Sequence, residues 1–249
     1  MSLEIVNLGL PKSGTTTLRR ALTEAGYKVA DHRIKARENK NDPNDRCFVG
    51  ALMYEGLFKF GDPTARLKDI QALTEVSYIF GRNSVWPQCD QAMLLALRKL
   101  HPKVRFVATR RDTEEMAHSI MRWNNLGRER LPTSTVPGLP AGFGHEIDEQ
   151  MIWIDGHYEA LAHWFRDDPL YLELDVSAPG AQSELERFLG RPLPWWGQAN
   201  VNFRAAMATA PPPHPETETE TETETETPVW SGAEITHTTT QVALQKEPD

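Results

Sequence analysis

The fold of this chain is decided by one stretch near its start, Gly9-Leu10-Pro11-Lys12-Ser13-Gly14-Thr15-Thr16-Thr17. The mostly apolar residues from Leu3 to Leu8 before it predict a buried strand, and apolar side chains recur after it at helical spacing as far as about Ala25. A glycine-containing loop that joins a strand to a helix brings backbone N–H groups and the positive end of the helix dipole to one place. The sequence therefore predicts an anion-binding loop at this point.

The loop departs from the usual nucleotide-hydrolase motif at one position. Gly9 and Gly14 have the separation found in G-x-x-x-x-G-K-[ST], but Thr15 stands where the lysine of that motif belongs. The only lysine of the stretch, Lys12, lies inside the loop. This pattern favours an anion other than the terminal phosphates of ATP or GTP. The alternative is an ordinary turn followed by a threonine-rich helix start.

A pair of arginines follows a later strand. Residues 103–109 are typical of a buried strand, and Arg110 and Arg111 come directly after them, before a helix predicted from about Thr113 to Asn125. Ser119 lies on that helix, eight residues after Arg111. A guanidinium binds phosphate through two parallel hydrogen bonds, and a helical serine adds a hydroxyl donor. Adjacent strand residues point to opposite faces, so the sequence leaves open which arginine faces the anion. Surface salt bridges and a solvated serine are the structural alternative.

Together these features resemble a known family. The run Pro11-Lys12-Ser13-Gly14-Thr15-Thr16 is similar to the 5′-phosphosulfate loop of sulfotransferases that use 3′-phosphoadenosine 5′-phosphosulfate (PAPS), and Arg111 with Ser119 is similar to their 3′-phosphate pair. The resemblance covers about residues 1–204. It implies transfer of a sulfuryl group to a hydroxyl or amine, with PAPS as co-substrate, 3′-phosphoadenosine 5′-phosphate (PAP) as product and no metal.

The same resemblance implies which residues contact the nucleotide. They are Pro11, Lys12, Ser13, Gly14, Thr15, Thr16, Thr17, Arg111 and Ser119. Thr17 replaces an aromatic residue that is common in cytosolic members, and no Arg-Lys-Gly sequence follows near the C-terminus. The contacts to the adenine and part of those to the 3′-phosphate are therefore unassigned.

Four residues are candidates for catalysis. Lys12 is expected to stabilise the negative charge that accumulates on the leaving phosphate. A hydroxyl acceptor also needs a base, and Glu75 is the leading candidate because it ends the probable strand that starts at Ala72, where related enzymes carry an acceptor-facing acid or histidine. Asp31 and His32, at the end of a short strand, are the next candidates. Local capping or pairing of Glu75, and a simple loop hydrogen bond of His32, are the alternatives.

Strands and helices alternate along the chain. This order predicts an α/β fold of three layers with a mainly parallel, roughly five-stranded central sheet, similar to that of P-loop NTPases. Besides the first strand and helix, we expect strands at 27–30, 72–75, 103–109 and 170–174, and helices at 48–60, 88–100, 113–125, 146–166 and 180–189. The active site is expected outside the carboxyl ends of the strands. Residues 127–145, rich in Pro and Gly, are expected to form a loop over it. Trp153, Tyr158 and Trp164 of the following helix either line the acceptor pocket or pack in the core, and helical spacing favours the core for most of them.

Charge divides the chain into two parts. Residues 205–249 contain nine acids and one base, which accounts for the whole formal net charge of −8, and residues 1–204 are balanced. We therefore expect an α/β domain at 1–204 and a disordered acidic tail at 205–249, whose Glu-Thr repeat cannot bury apolar surface. The balanced domain carries no basic field of the kind that attracts nucleic acid.

The remaining sequence features bear on the state of the cysteines, on metal binding and on cellular location. Cys47 and Cys89 have neither metal-ligand nor redox spacing and are expected to be free thiols. His157 and His163, six residues apart on one helix, face different ways and do not predict a metal site. The sequence starts on a core strand and has no run long enough to span a bilayer, which predicts a cytoplasmic protein. A nucleotide or small-molecule kinase and a non-catalytic nucleotide-binding protein remain alternatives. The acceptor, whether a small metabolite, a sugar or a lipid, and the oligomeric state stay open.

Overall fold

The computed structural model describes residues 3–34 and 44–199. The strands in this part of the chain are β1 Ile5–Asn7, β2 Val29–Ala30, β3 Ala72–Leu73, β4 Tyr78–Phe80, β5 Asn83–Val85, β6 Arg105–Arg110 and β7 Tyr171–Asp175. The α-helices are α1 Thr15–Glu24, α2 Val49–Phe60, α3 Gln91–Leu100, α4 Thr113–Arg122, α5 Leu131–Thr133, α6 Ile147–Trp164 and α7 Ala181–Leu189. A 3-10 turn at Pro87–Cys89 precedes α3, and a π-helical segment at Leu126–Arg130 precedes α5.

Five of the strands form a parallel sheet in the order β2-β3-β1-β6-β7. In the centre, Val6 of β1 lies opposite Leu73 of β3 on one side and Phe106 of β6 on the other. Parallel neighbours need crossover connections, and helices supply them. The predicted α/β fold with a parallel five-stranded sheet is confirmed.

Alternate residues of the strands pack into two separate cores. Val6 and Phe106 face the larger core, which also holds side chains of α2, α3, α4 and α6. Ile5 and Val107 face the other core, which is shared with α1 and α7. Because successive strand residues point to opposite faces, this division places helices on both sides of the sheet and confirms the three layers.

Two local predictions are corrected. The antiparallel hairpin of β4 and β5 was not expected, since each of its strands has only three residues around a turn at Gly81. The expected loop at 127–145 is wrong over its first residues, which are helical. There a β-carbon on Gly127 would lie 2.7 Å from the Cα of Met121, so only glycine lets this segment wind against α4.

The three aromatic residues of α6 differ in their environment. Trp153 and Tyr158 are buried, as predicted for core residues, whereas Trp164 at the end of the helix is 46% exposed. None of the helices within residues 3–34 and 44–199 is long and apolar enough to cross a bilayer. The tail predicted at 205–249 and the boundary before it lie outside the described residues.

A buried asparagine ties the carboxyl ends of the central strands together. Asn7, 1% exposed, donates from Nδ2 to the carbonyl of Thr74 at 2.8 Å. Its Oδ1 accepts from the N–H groups of Gly9 at 3.2 Å and Thr109 at 3.1 Å and from the Thr109 hydroxyl at 3.2 Å. One side chain thus joins β1, β3, β6 and the start of the glycine loop.

Replacing Asn7 with alanine is expected to lower the free energy of unfolding by about 2–4 kcal/mol, because buried N–H and C=O groups at three strand ends lose their partner. Urea denaturation of the full chain measures this. The matched control is Asn83→Ala, at an exposed position of β5. Equal denaturation midpoints for the two variants would show that Asn7 does not hold the strand ends together.

Candidate active site

The glycine loop has a fixed shape that its sequence explains. A β-carbon on Gly9 would lie 2.4 Å from both the carbonyl oxygen and the hydroxyl of Thr109, so the loop lies this close to β6 only because residue 9 is glycine. The buried hydroxyl of Ser13 bonds that of Thr109 at 2.8 Å, and the Ser13 N–H donates to the carbonyl of Leu10 at 3.2 Å. Ser13 therefore braces the loop from inside.

The amino end of α1 opens beside this loop. Gly14 precedes the helix in the left-handed region, with φ 107°, and the first turn of α1 carries no acidic residue. The first N–H groups of a helix lack intrahelical partners and carry a partial positive charge. This end therefore suits an anion. Pro11, Lys12, Gly14 and Thr16 are partly exposed around it, while the Thr17 hydroxyl donates to the carbonyl of Gly197 at 3.1 Å.

Lys12 reaches out of the loop to the end of α4. Its Nζ lies 3.4 Å from the centroid of the Trp123 ring, a cation–π contact. Burial lowers the pKa of Lys12 to about 8; the Arg111 charge acts in the same direction, and the Glu75 charge raises it. The ammonium group is therefore held in a partly desolvated place within the electrostatic reach of both Glu75 and Arg111.

Glu75 lies just after β3, where the side chains of the glycine loop reach it; we call this place the mouth of the loop. Its Oε1 accepts from the Ser77 hydroxyl at 2.8 Å, and the Thr15 hydroxyl of the loop also bonds the carboxyl. Burial raises the pKa of Glu75 to about 8, with a smaller contribution from the negative charge of Asp31, and these hydrogen bonds oppose the shift. A carboxyl with such a pKa is suited to exchanging protons near neutral pH.

The two other candidate bases lie close to Glu75 but are engaged differently. Asp31 pairs with Arg19, Oδ2 to Nε, at 3.2 Å. The ring of His32 is exposed, and its Nδ1 donates to the carbonyl of Ser77 at 3.2 Å. The structure thus brings Glu75, Asp31, His32 and Lys12 to one edge of the sheet, with Glu75 in contact with the loop itself.

The two arginines at the carboxyl end of β6 have different partners. Arg110 forms an ion pair with Glu173 of β7, and its guanidinium lies 5.1 Å from the Tyr158 ring centroid. Arg111 bonds Glu115 at 2.7 Å, an exposed contact on the first turn of α4, and lies close enough to Lys12 to lower its pKa. Ser119, four residues after Glu115, is partly exposed one turn further along the same face of α4.

Two neighbouring residues of α6 hydrogen-bond to the backbone at and beside the glycine loop. The Tyr158 hydroxyl accepts from the N–H of Leu10 at 3.4 Å and donates to the carbonyl of Thr109 at 2.7 Å. His157 donates from Nε2 to the carbonyl of Leu8 at 2.8 Å, and the thiol of Cys89 lies 3.7 Å from its Nδ1. Burial lowers the pKa of His157 and raises that of Cys89 to about 12, so both groups are neutral near pH 7.

Sequence reasoning missed four of these residues. Asn7 had a local signal, a polar residue that ends an apolar strand before a glycine. Trp123 and His157 had none, and Tyr158 was considered only as a pocket-lining or core residue, because aromatic residues at helical spacing are typical of any core.

Replacing Trp123 with leucine is expected to lower the pKa of Lys12 further, because the ring face that stabilises the ammonium charge is lost while an apolar side chain still covers it. Trp123→Phe keeps a ring face and is expected to leave the pKa near 8. NMR titration of lysine-labelled protein measures both. Trp164→Leu, which removes an exposed ring at the end of α6, is the control. An unchanged Lys12 pKa in Trp123→Leu would contradict the assignment.

Within residues 3–34 and 44–199, no group of three His, Cys, Asp or Glu side chains is placed to hold a metal ion. The positive groups of the site are those of Lys12, Arg111 and the amino end of α1, and they suit an anion with more than one negative group.

Comparison with protein-family models identifies the domain. A family model described as a sulfotransferase domain matches residues 4–146, more than half of the chain. The matched region contains the glycine loop, Glu75, Arg111 and Ser119. No curated protein matches the chain at a significant level.

Proposed function

Because this chain belongs to the sulfotransferase domain family, we propose that it transfers a sulfuryl group from PAPS to a hydroxyl or amine of a small acceptor, in line and without a metal ion. The observation that carries the proposal is the meeting of Lys12 and Glu75 at the mouth of the glycine loop. One is a cation suited to a leaving phosphate, and the other is a carboxyl suited to taking a proton.

Donor binding follows from the positive groups. The amino end of α1 and the loop take the 5′-phosphosulfate, and Arg111 with Ser119 takes the 3′-phosphate. Arg111 is favoured over Arg110 because its present partner, Glu115, is an exposed residue one turn away. Such a pair is worth only about 0.3–0.5 kcal/mol, so a phosphate replaces it easily. Arg110 is held between Glu173 and the Tyr158 ring.

The chemistry assigns one task to each group. Glu75 accepts the proton of the acceptor hydroxyl as the acceptor oxygen forms its bond to sulfur. The bond between sulfur and the 5′-phosphate oxygen breaks, and its electron pair stays on that oxygen. Lys12 and the loop N–H groups stabilise this charge. The products are a sulfate ester, PAP and a proton that Glu75 releases to solvent.

Activity is expected to depend on pH as a narrow bell with both limbs near pH 8. Glu75 must be deprotonated, so kcat/KM rises as the pH approaches its pKa of about 8. Lys12 must be protonated, so kcat/KM falls as the pH passes its own pKa of about 8. Rates with labelled PAPS between pH 6 and 10 measure both limbs. A flat profile over this range would contradict the assigned protonation states.

The direct test is calorimetric titration of the full chain with PAP, AMP and ATP. PAP is expected to bind at least about tenfold more tightly than AMP, since only PAP offers a 3′-phosphate to a charged hydrogen-bond donor. Lys12→Ala and Arg111→Ala are expected to weaken PAP binding, and Arg187→Ala, at an exposed position of α7, is the control. Turnover of labelled PAPS is expected to persist in a chelator.

Other outcomes identify the alternatives. Preference for ATP over PAP, with turnover that requires Mg²⁺, would indicate a kinase. Tight PAP binding without transfer to any acceptor would indicate a non-catalytic nucleotide-binding protein.

A further inference from the structure

Three buried hydroxyl groups meet between the glycine loop and the end of β6. The hydroxyls of Ser13 and Thr109 are 2.8 Å apart, and the hydroxyl of Tyr158 also bonds that of Ser13. All three side chains are buried. We call these three groups the hydroxyl cluster. Because they are shielded from solvent, they depend on protein partners for their hydrogen bonds.

The Tyr158 hydroxyl both donates and accepts across this contact. It donates to the carbonyl of Thr109 at 2.7 Å and accepts from the N–H of Leu10 at 3.4 Å. Leu10 belongs to the glycine loop and Thr109 to β6, so one side chain of α6 joins two other elements. The spacing between the loop and the end of β6 therefore depends on a residue that lies on neither of them.

The end of β6 leads directly to the arginine that is proposed to bind the 3′-phosphate. Arg111 follows Thr109 by two residues, which span only about 7 Å of chain. The residue between them is fixed as well. The carbonyl of Arg110 accepts from the N–H of Val176 at 3.1 Å, and its guanidinium lies 5.1 Å from the Tyr158 ring centroid. A displacement of Thr109 is therefore expected to carry Arg111 with it.

We propose that Tyr158 is a positioning residue that, through the hydroxyl cluster, holds the glycine loop and Arg111 at the separation that the two phosphate groups of PAP require. This inference rests on the proposed function and adds a buried residue that touches neither phosphate. A ligand with both phosphates spans the loop and Arg111, so its affinity depends on the distance between them. A ligand with the 5′-phosphate alone engages only the loop and is insensitive to that distance.

The test is a change in ligand preference rather than in affinity alone. Tyr158→Phe removes the hydroxyl and keeps the ring that faces Arg110. In calorimetric titrations of the full chain, we expect this variant to lower the preference for PAP over AMP about fivefold, because only PAP spans both sites. In the Arg111→Ala background, where the 3′-phosphate has already lost its contact, Tyr158→Phe is expected to leave the preference unchanged. This double-mutant cycle measures the coupling between the hydroxyl and Arg111.

Two controls separate positioning from a general loss of stability. Tyr27→Phe removes a tyrosine hydroxyl from the other core, which is shared with α1 and α7. His157→Leu removes the neighbouring hydrogen bond from α6 to the carbonyl of Leu8, which precedes the loop. Both variants are expected to keep the wild-type preference for PAP, even where they lower the melting temperature.

Ser13→Ala is a second test of the hydroxyl cluster. It removes the hydroxyl that bonds those of Thr109 and Tyr158, and its side chain is fully buried. We expect it to lower the preference for PAP over AMP in the same direction as Tyr158→Phe. It takes the place of that variant if Tyr158→Phe does not stay folded at the assay temperature, which circular dichroism measures.

The outcomes separate the positioning role from the choice of donor. Failure of the wild-type chain to prefer PAP over AMP would overturn the donor proposal and this inference with it. A normal preference that Tyr158→Phe leaves unchanged, or that His157→Leu lowers equally, would overturn the positioning role of Tyr158 alone. An equal effect of Tyr158→Phe with and without Arg111 would do the same.

Discussion

Replacing Lys12 with alanine is expected to reduce kcat for sulfuryl transfer by about 10²–10³, the loss that follows removal of one preorganised donor at a developing charge. The ammonium group of Lys12 is partly desolvated, so its charge acts on the leaving oxygen with little screening by water. Alanine also keeps a β-carbon at a position with φ 71°, so the loop backbone bears the same steric cost in both proteins. The variant therefore removes the cation and leaves the loop shape.

The measurement is turnover of labelled PAPS at saturating donor, with PAP affinity measured in parallel. Lys103→Ala, at an exposed position before β6, is the control for loss of a positive charge. We expect Lys12→Ala to lose far more in kcat than in affinity for PAP, because the charge on the leaving oxygen is greatest in the transition state. Equal losses in both quantities would make Lys12 a binding residue only.

Glu75→Gln is expected to reduce kcat by about 10²–10⁴, the usual contribution of a positioned general base. Glutamine has the same shape as glutamate and can still accept from Ser77, so the mouth of the loop keeps its geometry. PAP binding is expected to stay unchanged, and the rising limb of the pH profile is expected to disappear with the carboxyl.

The controls for Glu75 distinguish it from its neighbours. Glu159→Gln changes an exposed glutamate on α6 and is expected to have no effect. His32→Gln and Asp31→Asn test the two other candidates at the same edge of the sheet. Retained turnover in Glu75→Gln together with loss in His32→Gln would move the role of base to the imidazole.

The order of strands and helices can be predicted from the sequence because the patterns that indicate them are local and strong. Apolar runs such as Val104 to Ala108 predict buried strands, and the glycine loop between β1 and α1 fixes the first crossover. Parallel strands then place their carboxyl ends at one edge. The meeting of Lys12 and Glu75 follows from that arrangement, although the two residues are far apart in sequence.

What the sequence did not predict depends on contacts between distant elements. The β4–β5 hairpin has strands of three residues, too short for a clear alternation. The choice between Arg110 and Arg111 depends on Glu173, which reaches Arg110 from another strand. The position of Trp123 over Lys12 depends on how α4 packs beside the loop. No pattern within a single segment carries these facts.

The positive φ angle of Lys12 lowers the stability of the chain, although its side chain supplies the cation of the loop. A residue with a β-carbon in that region costs about 1 kcal/mol relative to glycine. Glycine at position 12 would relieve this strain and give a more stable chain, but it would also remove the cation from the mouth of the loop. Selection for thermal stability alone would therefore favour loss of the cation that is proposed to stabilise the leaving phosphate. Screens for more stable variants of this protein need to measure sulfuryl transfer as well as melting temperature.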